Sequence, residues 1–137
     1  MSYESRTGAV LFAKDLDRVA AFYSTVLGLT EAKRDDDHIL LESPGFQLVV
    51  HRIPGGAAAA GDITAPPARR GTAAFKPVFF VPSLSRLRAV AGTYGGVMEP
   101  AAREWSFNGV TVCDGVDPEG NVIQFREHAG SAATGSA

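Results

Sequence analysis

The chain has 137 residues, of which 45% are hydrophobic and 20% are charged, a balance typical of one compact globular domain. Its formal net charge of −2 makes nucleic acid and anionic membranes unfavourable partners. No apolar run approaches the ~20 residues of a membrane helix, and the start of the chain does not resemble a signal peptide. The single cysteine, Cys113, forms no intrachain disulfide, so we expect a cytoplasmic protein.

The first half of the chain predicts the element order β-α-β-β-β. An apolar run at residues 8–13 predicts the first strand. Asp15 stands at an N-cap position, and the apolar spacing behind it predicts a helix that ends at Gly28. Three further strands are predicted, at residues 29–34, 38–42 and 46–53.

The second half repeats this pattern after residues 54–75, whose glycine, alanine and proline content indicates a linker or a surface arm. Within that segment, residues 57–60 have the composition for one helical turn. A strand at residues 75–81 contains a proline, which is typical of an edge or a bulge, and Ser83 caps a second helix. The last strand pieces are predicted at residues 97–99, 105–107, 110–113 and 121–126, with a turn at residues 117–120.

The two halves align without a gap from the first strand to the end of the helix. Seven residue pairs lie 68 positions apart, namely Val10 and Val78, Phe12 and Phe80, Leu16 and Leu84, Arg18 and Arg86, Val19 and Leu87, Ala21 and Ala89, and Gly28 and Gly96. Gly45 and Gly120 lie 75 apart, so the second half has seven extra residues, which we place around residues 100–104. The constant offset indicates a duplicated unit. We predict one domain at residues 1–137, with module one at 8–53, a linker at 54–75, module two at 76–128 and a disordered tail at 129–137.

Two motifs resemble the vicinal oxygen chelate superfamily, also called the glyoxalase/bleomycin resistance protein/dioxygenase family. The segment KDLDRVAAFYSTVLGL is similar to the first helix of that superfamily, and DPEGNVIQF is similar to its closing turn and last strand. The resemblance covers about residues 8–128. It implies an α+β fold of two tandem βαβββ modules whose strands form a curved mixed-sheet cup, and it implies a homodimer.

In metal-using members of that superfamily, the first and fourth strands of each module supply the ligands. Carried over residue by residue, these positions fall on Gly8, Val49, Lys76 and Gln124. Glycine and valine have no donor atom, and a lysine ammonium has no lone pair to give. Only the amide oxygen of Gln124 could coordinate, whereas a catalytic divalent site usually needs about three protein ligands. We therefore predict that the chain binds no metal and needs no other cofactor.

Side chains alternate between the two faces of a strand, so if residue 8 faces the cup, every second residue of its strand does so too. The same alternation applies to the other strands that contain a metal position. The residues predicted to face the cup are Val10, Phe12, Gln47, Val49, His51, Lys76, Val78, Phe80, Val122, Gln124 and Arg126. The other side is uniformly apolar and faces the helices, with Ala9, Leu11, Leu48, Val50, Phe79, Ile123 and Phe125. Apolar walls with few polar groups are typical of a small-molecule site.

From this set we predict a ligand-binding site that includes Val10, Phe12, Val49, His51, Lys76, Phe80, Trp105 and Gln124. Two aromatic walls beside a lysine favour a flat, partly aromatic ligand with an anionic or polar edge.

Several single residues have two interpretations. His51 is either a polar strand-end residue, which we favour, or a general base or displaced metal ligand. Lys76 either pairs with a carboxylate or receives an anionic ligand oxygen, and Trp105 lies either in the core or at the cup. Cys113 is expected to be a small buried residue, since no activating base is evident. His38 and His128 are expected to be solvated.

Two classes of function remain. The first is a small-molecule binding protein without the superfamily's metal site, for example one that sequesters an antibiotic or a metabolite. The second is a glyoxalase- or dioxygenase-like lyase or isomerase that acts without metal, through Lys76 or His51, or with an atypical metal site. The residues at the metal positions favour binding over catalysis, although fold alone does not decide function.

Overall fold

The computed structural model describes residues 6–56 and 61–129. The helical turn predicted at residues 57–60 lies outside the described residues, as does all but the first residue of the tail predicted at residues 129–137. The chain divides into two compact units, Met1–Asp62 and Ile63–Ala137. In the described segments, no helix has the length and apolar character to span a membrane.

The first unit has the predicted order of elements. These are β1 (Thr7–Ala13), α1 (Leu16–Ala21), β2 (Thr30–Arg34), β3 (His38–Ser43) and β4 (Phe46–Arg52). The strands lie in the order β1-β4-β3-β2, with β1 parallel to β4 and the other neighbours antiparallel. The predicted helix is shorter than expected as an α-helix, because a wider π-helical turn at Phe22–Val26 continues it.

The second unit has the same order, with one strand interrupted. Its elements are β5 (Val78–Phe80), α2 (Leu84–Ala91), β6 (Val97–Met98), β7 (Trp105–Phe107), β8 (Val110–Val116) and β9 (Val122–His128). The strands lie in the order β5-β9-β8-β6, and β7 pairs with β8 beside β6. The seven-residue insertion was placed correctly, because a single helical turn at Ala101–Arg103 separates β6 from β7.

Three predicted strands in this unit differ from the observed ones by two or more residues at one end. The strand predicted at residues 75–81 is shorter, since Pro77 has no N–H to donate to a neighbour and contributes only its carbonyl. The strands predicted at 110–113 and 121–126 are each longer, because β8 and β9 form a hairpin that pairs seven residues of each strand.

Equivalent side chains cap the two helices. The carboxylate of Asp15 accepts the N–H of Arg18 at 3.1 Å, and the hydroxyl of Ser83 accepts the N–H of Arg86 at 3.2 Å. Each cap satisfies an N–H group that has no partner within its own helix. The predicted caps and their spacing of 68 residues are confirmed.

The register of the parallel strands also repeats. Val10 pairs with Val49 in the first unit, and Val78 pairs with Gln124 in the second. These pairs are separated by 39 and 46 residues, and the difference equals the predicted insertion of seven residues. Each sheet therefore has the predicted alternation, with one face against its helix and one face without a helix.

The helix side of each sheet is buried, and in the second unit the opposite face is also buried on its two central strands, at Val112 and Val122. In the first unit Leu48 and Val50 are buried below α1, and in the second unit Ile123 and Phe125 are fully buried. Predicted helix-facing residues on the edge strands, such as Phe79, are half-buried. Burial of these apolar faces is the main stabilising contribution that fixes each strand's register.

The turn between β8 and β9 is built around Asp117, whose side chain accepts the N–H groups of Glu119 and Asn121 and the amide of Asn121. Gly120 in this turn has φ +83°, and its carbonyl accepts the N–H of Arg70 at 3.0 Å. A Cβ at Gly120 would lie 2.0 Å from the carbonyl oxygen of Ala68. The last part of the predicted linker therefore packs directly on this turn.

Gly120→Ala is expected to lower the free energy of unfolding by roughly 2–3 kcal/mol, because it combines a strained φ with a backbone clash. Gly109→Ala is the matched control, with φ +79° and no atom within 4 Å of the added Cβ. It should cost only about 1 kcal/mol. Urea unfolding of both variants measures the difference, and equal losses would show that the arm does not pack on the turn.

Candidate functional site

The eight predicted site residues divide equally between the units. In each unit they lie on the helix-free face of the sheet, which is the side opposite to α1 or α2. The first helix-free face contains Val10, Phe12, Val49 and His51, and the second contains Lys76, Phe80, Trp105 and Gln124 together with Asp114, Arg126 and Phe107.

On the first helix-free face, three rings lie in a row across three strands. Phe12 pairs with His51, and His51 pairs with His38. The ring centroids are 5.3 Å apart for Phe12 and His51 and 4.3 Å apart for His51 and His38. The antiparallel register places His38 beside His51, and 44% of the His38 side chain remains exposed.

Hydrogen bonds orient both histidine rings. The Nδ1 of His51 donates to the carbonyl of Arg52 at 2.6 Å, and the Nδ1 of His38 lies 3.0 Å from a carboxylate oxygen of Asp35. These oxygens accept and do not donate, so each neutral ring keeps a lone pair on Nε2. The backbone N–H of Asp37 and the His38 ring lower the pKa of Asp35 to about 2.

On the second helix-free face, four side chains form one continuous chain of polar contacts, which we call the polar chain. Lys76 Nζ lies 2.9 Å from Asp114 Oδ2, and Gln124 Nε2 donates to Asp114 Oδ1 at 3.3 Å. Arg126 Nε donates to Gln124 Oε1 at 2.7 Å. Of the two interpretations of Lys76, pairing with a carboxylate is confirmed.

Aromatic rings surround the Arg126 end of the polar chain. The guanidinium carbon lies 5.9 Å from the ring centroid of Phe80 and 5.7 Å from that of Phe107, both within the range of a cation–π contact. Trp105 pairs with the residue beside Arg126 and is 43% exposed, so it lies on this face and not in the core. Phe80 also stacks on His128, which is exposed as expected.

The two metal positions in the first unit offer no ligand. Val49 has no donor atom, and Gly8 has no side chain. A Cβ at Gly8 would lie 2.7 Å from the carbonyl oxygen of Gln47, so the parallel strand occupies the space where a ligand's side chain would begin.

The two positions in the second unit carry polar groups that are already used. The ammonium of Lys76 pairs with Asp114, and both ends of the Gln124 amide are engaged, its oxygen by Arg126. The four residues therefore do not fit a divalent metal. Across residues 6–56 and 61–129, no three histidine, cysteine, aspartate or glutamate side chains group as a metal site.

Asp114 and Phe107 are site residues that the sequence analysis missed. The predicted strand at 110–113 ended one residue before Asp114. A hairpin drawn symmetrically about the turn at 117–120 would have extended that strand and placed Asp114 opposite Gln124, as observed. Arg126 was predicted on this face but not included among the ligand-binding residues.

Cys113 lies on the opposite face of β8, fully buried as expected. Its thiol donates to the carbonyl of Glu99 at 3.4 Å and lies 3.4 Å from Arg88 Nη2. Burial raises the pKa of the Cys113 thiol, which disfavours the nucleophilic thiolate.

No protein-family model and no curated protein matches this sequence. Solved structures do match. A glyoxalase/bleomycin resistance protein/dioxygenase family enzyme from Burkholderia phytofirmans PsJN aligns with a TM-score of 0.67 and 18% identity, over 91% of this chain and 99% of its own.

Two further structures with named activities align over similar lengths. A genomically encoded fosfomycin resistance protein from Listeria monocytogenes gives a TM-score of 0.62 at 14% identity, over 93% of both chains. Lactoylglutathione lyase from Agrobacterium tumefaciens gives 0.59 at 18% identity, over 93% of this chain and 96% of its own. The chain therefore has the fold of the vicinal oxygen chelate superfamily, as its helix and turn motifs predicted.

Proposed function

We propose that this protein binds a small organic molecule without the metal of its superfamily, as a sequestering protein of the cytoplasm. The observation that supports this proposal most strongly is the polar chain. Lys76 and Gln124, at the two metal positions of the second unit, are already engaged with Asp114 and Arg126. The four side chains form a polar strip beside the rings of Phe80 and Phe107. Such a strip orients a ligand, whereas the surrounding rings supply contact area.

The aromatic side chains on the second helix-free face support an aromatic ligand. Phe80 and Phe107 are 57% and 53% exposed, although large apolar side chains are usually buried. Exposed rings that flank charged groups are more typical of a binding surface than of a solvated one.

Catalysis without metal is the second candidate function, in the form of a lyase or isomerase of the glyoxalase type. His51 is the residue that favours it, since the hydrogen bond at Nδ1 leaves the lone pair on Nε2 that a general base needs. Turnover of a ligand found by thermal-shift screening, lost in His51→Ala, would support this alternative. Tight binding without product would support sequestration.

The purified protein should contain no stoichiometric divalent metal, because the four superfamily positions supply no free ligand set. The test is elemental analysis after expression with zinc, nickel, manganese and iron supplied, followed by dialysis against a weak chelator. About one metal ion per chain that survives dialysis would contradict the proposal.

Phe80→Ala should weaken binding of a neutral aromatic probe, phenylnaphthylamine, by roughly tenfold, because it removes ring contact worth about 1–2 kcal/mol. Phe75→Ala is the matched control, since Phe75 is 74% exposed and precedes the strands of the second unit. Probe fluorescence in a titration gives both dissociation constants. Equal losses in the two variants would place the binding site elsewhere.

We also propose that the protein is a homodimer, on the basis of the superfamily resemblance. The exposure of Val10 at 56% and of Phe12 at 51% supports an interaction surface on the first unit. Light scattering at micromolar concentration should give about twice the 14.4 kDa of one chain. A single species of 14.4 kDa would contradict this proposal.

A further inference from the structure

The polar chain contains two positively charged side chains and one negatively charged side chain. Lys76 and Asp114 form an ion pair, with side chains 37% and 19% exposed. Arg126 contributes a second positive charge, and within the described part of the chain no carboxylate pairs with it. One unpaired cation therefore remains at the aromatic end of the chain.

The guanidinium of Arg126 is held in one orientation. Gln124 binds its Nε, and the rings of Phe80 and Phe107 lie near its carbon on the helix-free face. Among the described residues its terminal Nη groups donate to no oxygen. A planar guanidinium fixed in this way is pre-organised for an oxyanion, since little side-chain freedom remains to be lost on binding.

We infer that Arg126 is the anion-recognition residue of this protein, and that the ligand is an aromatic molecule with one anionic group, such as a carboxylate or a sulfonate. Its negative oxygens meet the Nη groups of Arg126, and its ring lies against Phe80 or Trp105. Lys76 does not take this role, because Asp114 already neutralises it. The inference rests on the proposed function and names the chemistry of the ligand.

A pair of fluorescent probes tests the inference. Anilinonaphthalene sulfonate carries one negative charge, and phenylnaphthylamine has the same aromatic skeleton without the sulfonate. Arg126→Gln should weaken the sulfonate probe roughly ten- to hundredfold, the range for a lost hydrogen bond to a charged group. The neutral probe should change by no more than about threefold, because the rings remain.

Two control variants isolate the charge of Arg126. Arg86→Gln makes the same substitution at an exposed position on α2 and should leave both affinities unchanged. Arg126→Lys keeps the positive charge and should keep most of the preference for the sulfonate. Thermal melting of each variant establishes that it is folded, and Arg126→Met replaces Arg126→Gln if the latter unfolds.

Four outcomes would overturn the inference. If Arg126→Gln lowers both affinities equally, or lowers neither, Arg126 does not recognise the anion, although binding of the neutral probe would still support the proposed function. If Arg86→Gln has the same effect as Arg126→Gln, the sulfonate responds only to net charge. Failure of the wild-type protein to bind either probe would reject the inference and the proposed face together.

Discussion

The carboxylate of Asp114 is the group on which the second helix-free face depends. It lies opposite Gln124 in the β8–β9 hairpin, where it accepts from both Lys76 and the Gln124 amide. Without it, Lys76 would face Gln124 and Arg126 with no negative charge, and one buried amide group would lose its partner. An unpaired polar group in a buried position costs more than its hydrogen bond contributes.

Asp114 also determines how Arg126 is presented. A glutamine amide has one accepting and one donating end, and the carboxylate can only accept, so the donating end of Gln124 turns to Asp114. The accepting end then faces Arg126 Nε. Gln124, which the superfamily resemblance assigns to a metal-ligand position, thus relays hydrogen bonds between Asp114 and Arg126, and the charge that remains unpaired in the polar chain is positive.

The fold could be predicted from the sequence because its determinants are local or repeated. The caps at Asp15 and Ser83 indicated where the two helices begin, and the constant offset between the halves indicated that the order of elements repeats. The side-chain partners were not predictable in the same way, since contacts between neighbouring strands depend on exact strand ends. Because the predicted β8 was too short, Asp114 was not recognised as a site residue. Without Asp114, the sequence did not decide whether Lys76 forms an ion pair or binds an anion.

The contact between His38 and His51 was missed for a similar reason. The two histidines lie thirteen positions apart in sequence, and only the antiparallel register places them together.

We propose that an aromatic anion binds at Arg126 and Gln124 without a metal. A heteronuclear NMR titration of the arginine Nε–H and glutamine amide signals, in the presence of a chelator, tests it most directly. We predict that anilinonaphthalene sulfonate shifts the signals of both residues together and saturably. Arginine and glutamine signals that stay unchanged while others move, or that shift only after a divalent metal is added, would contradict binding at this place.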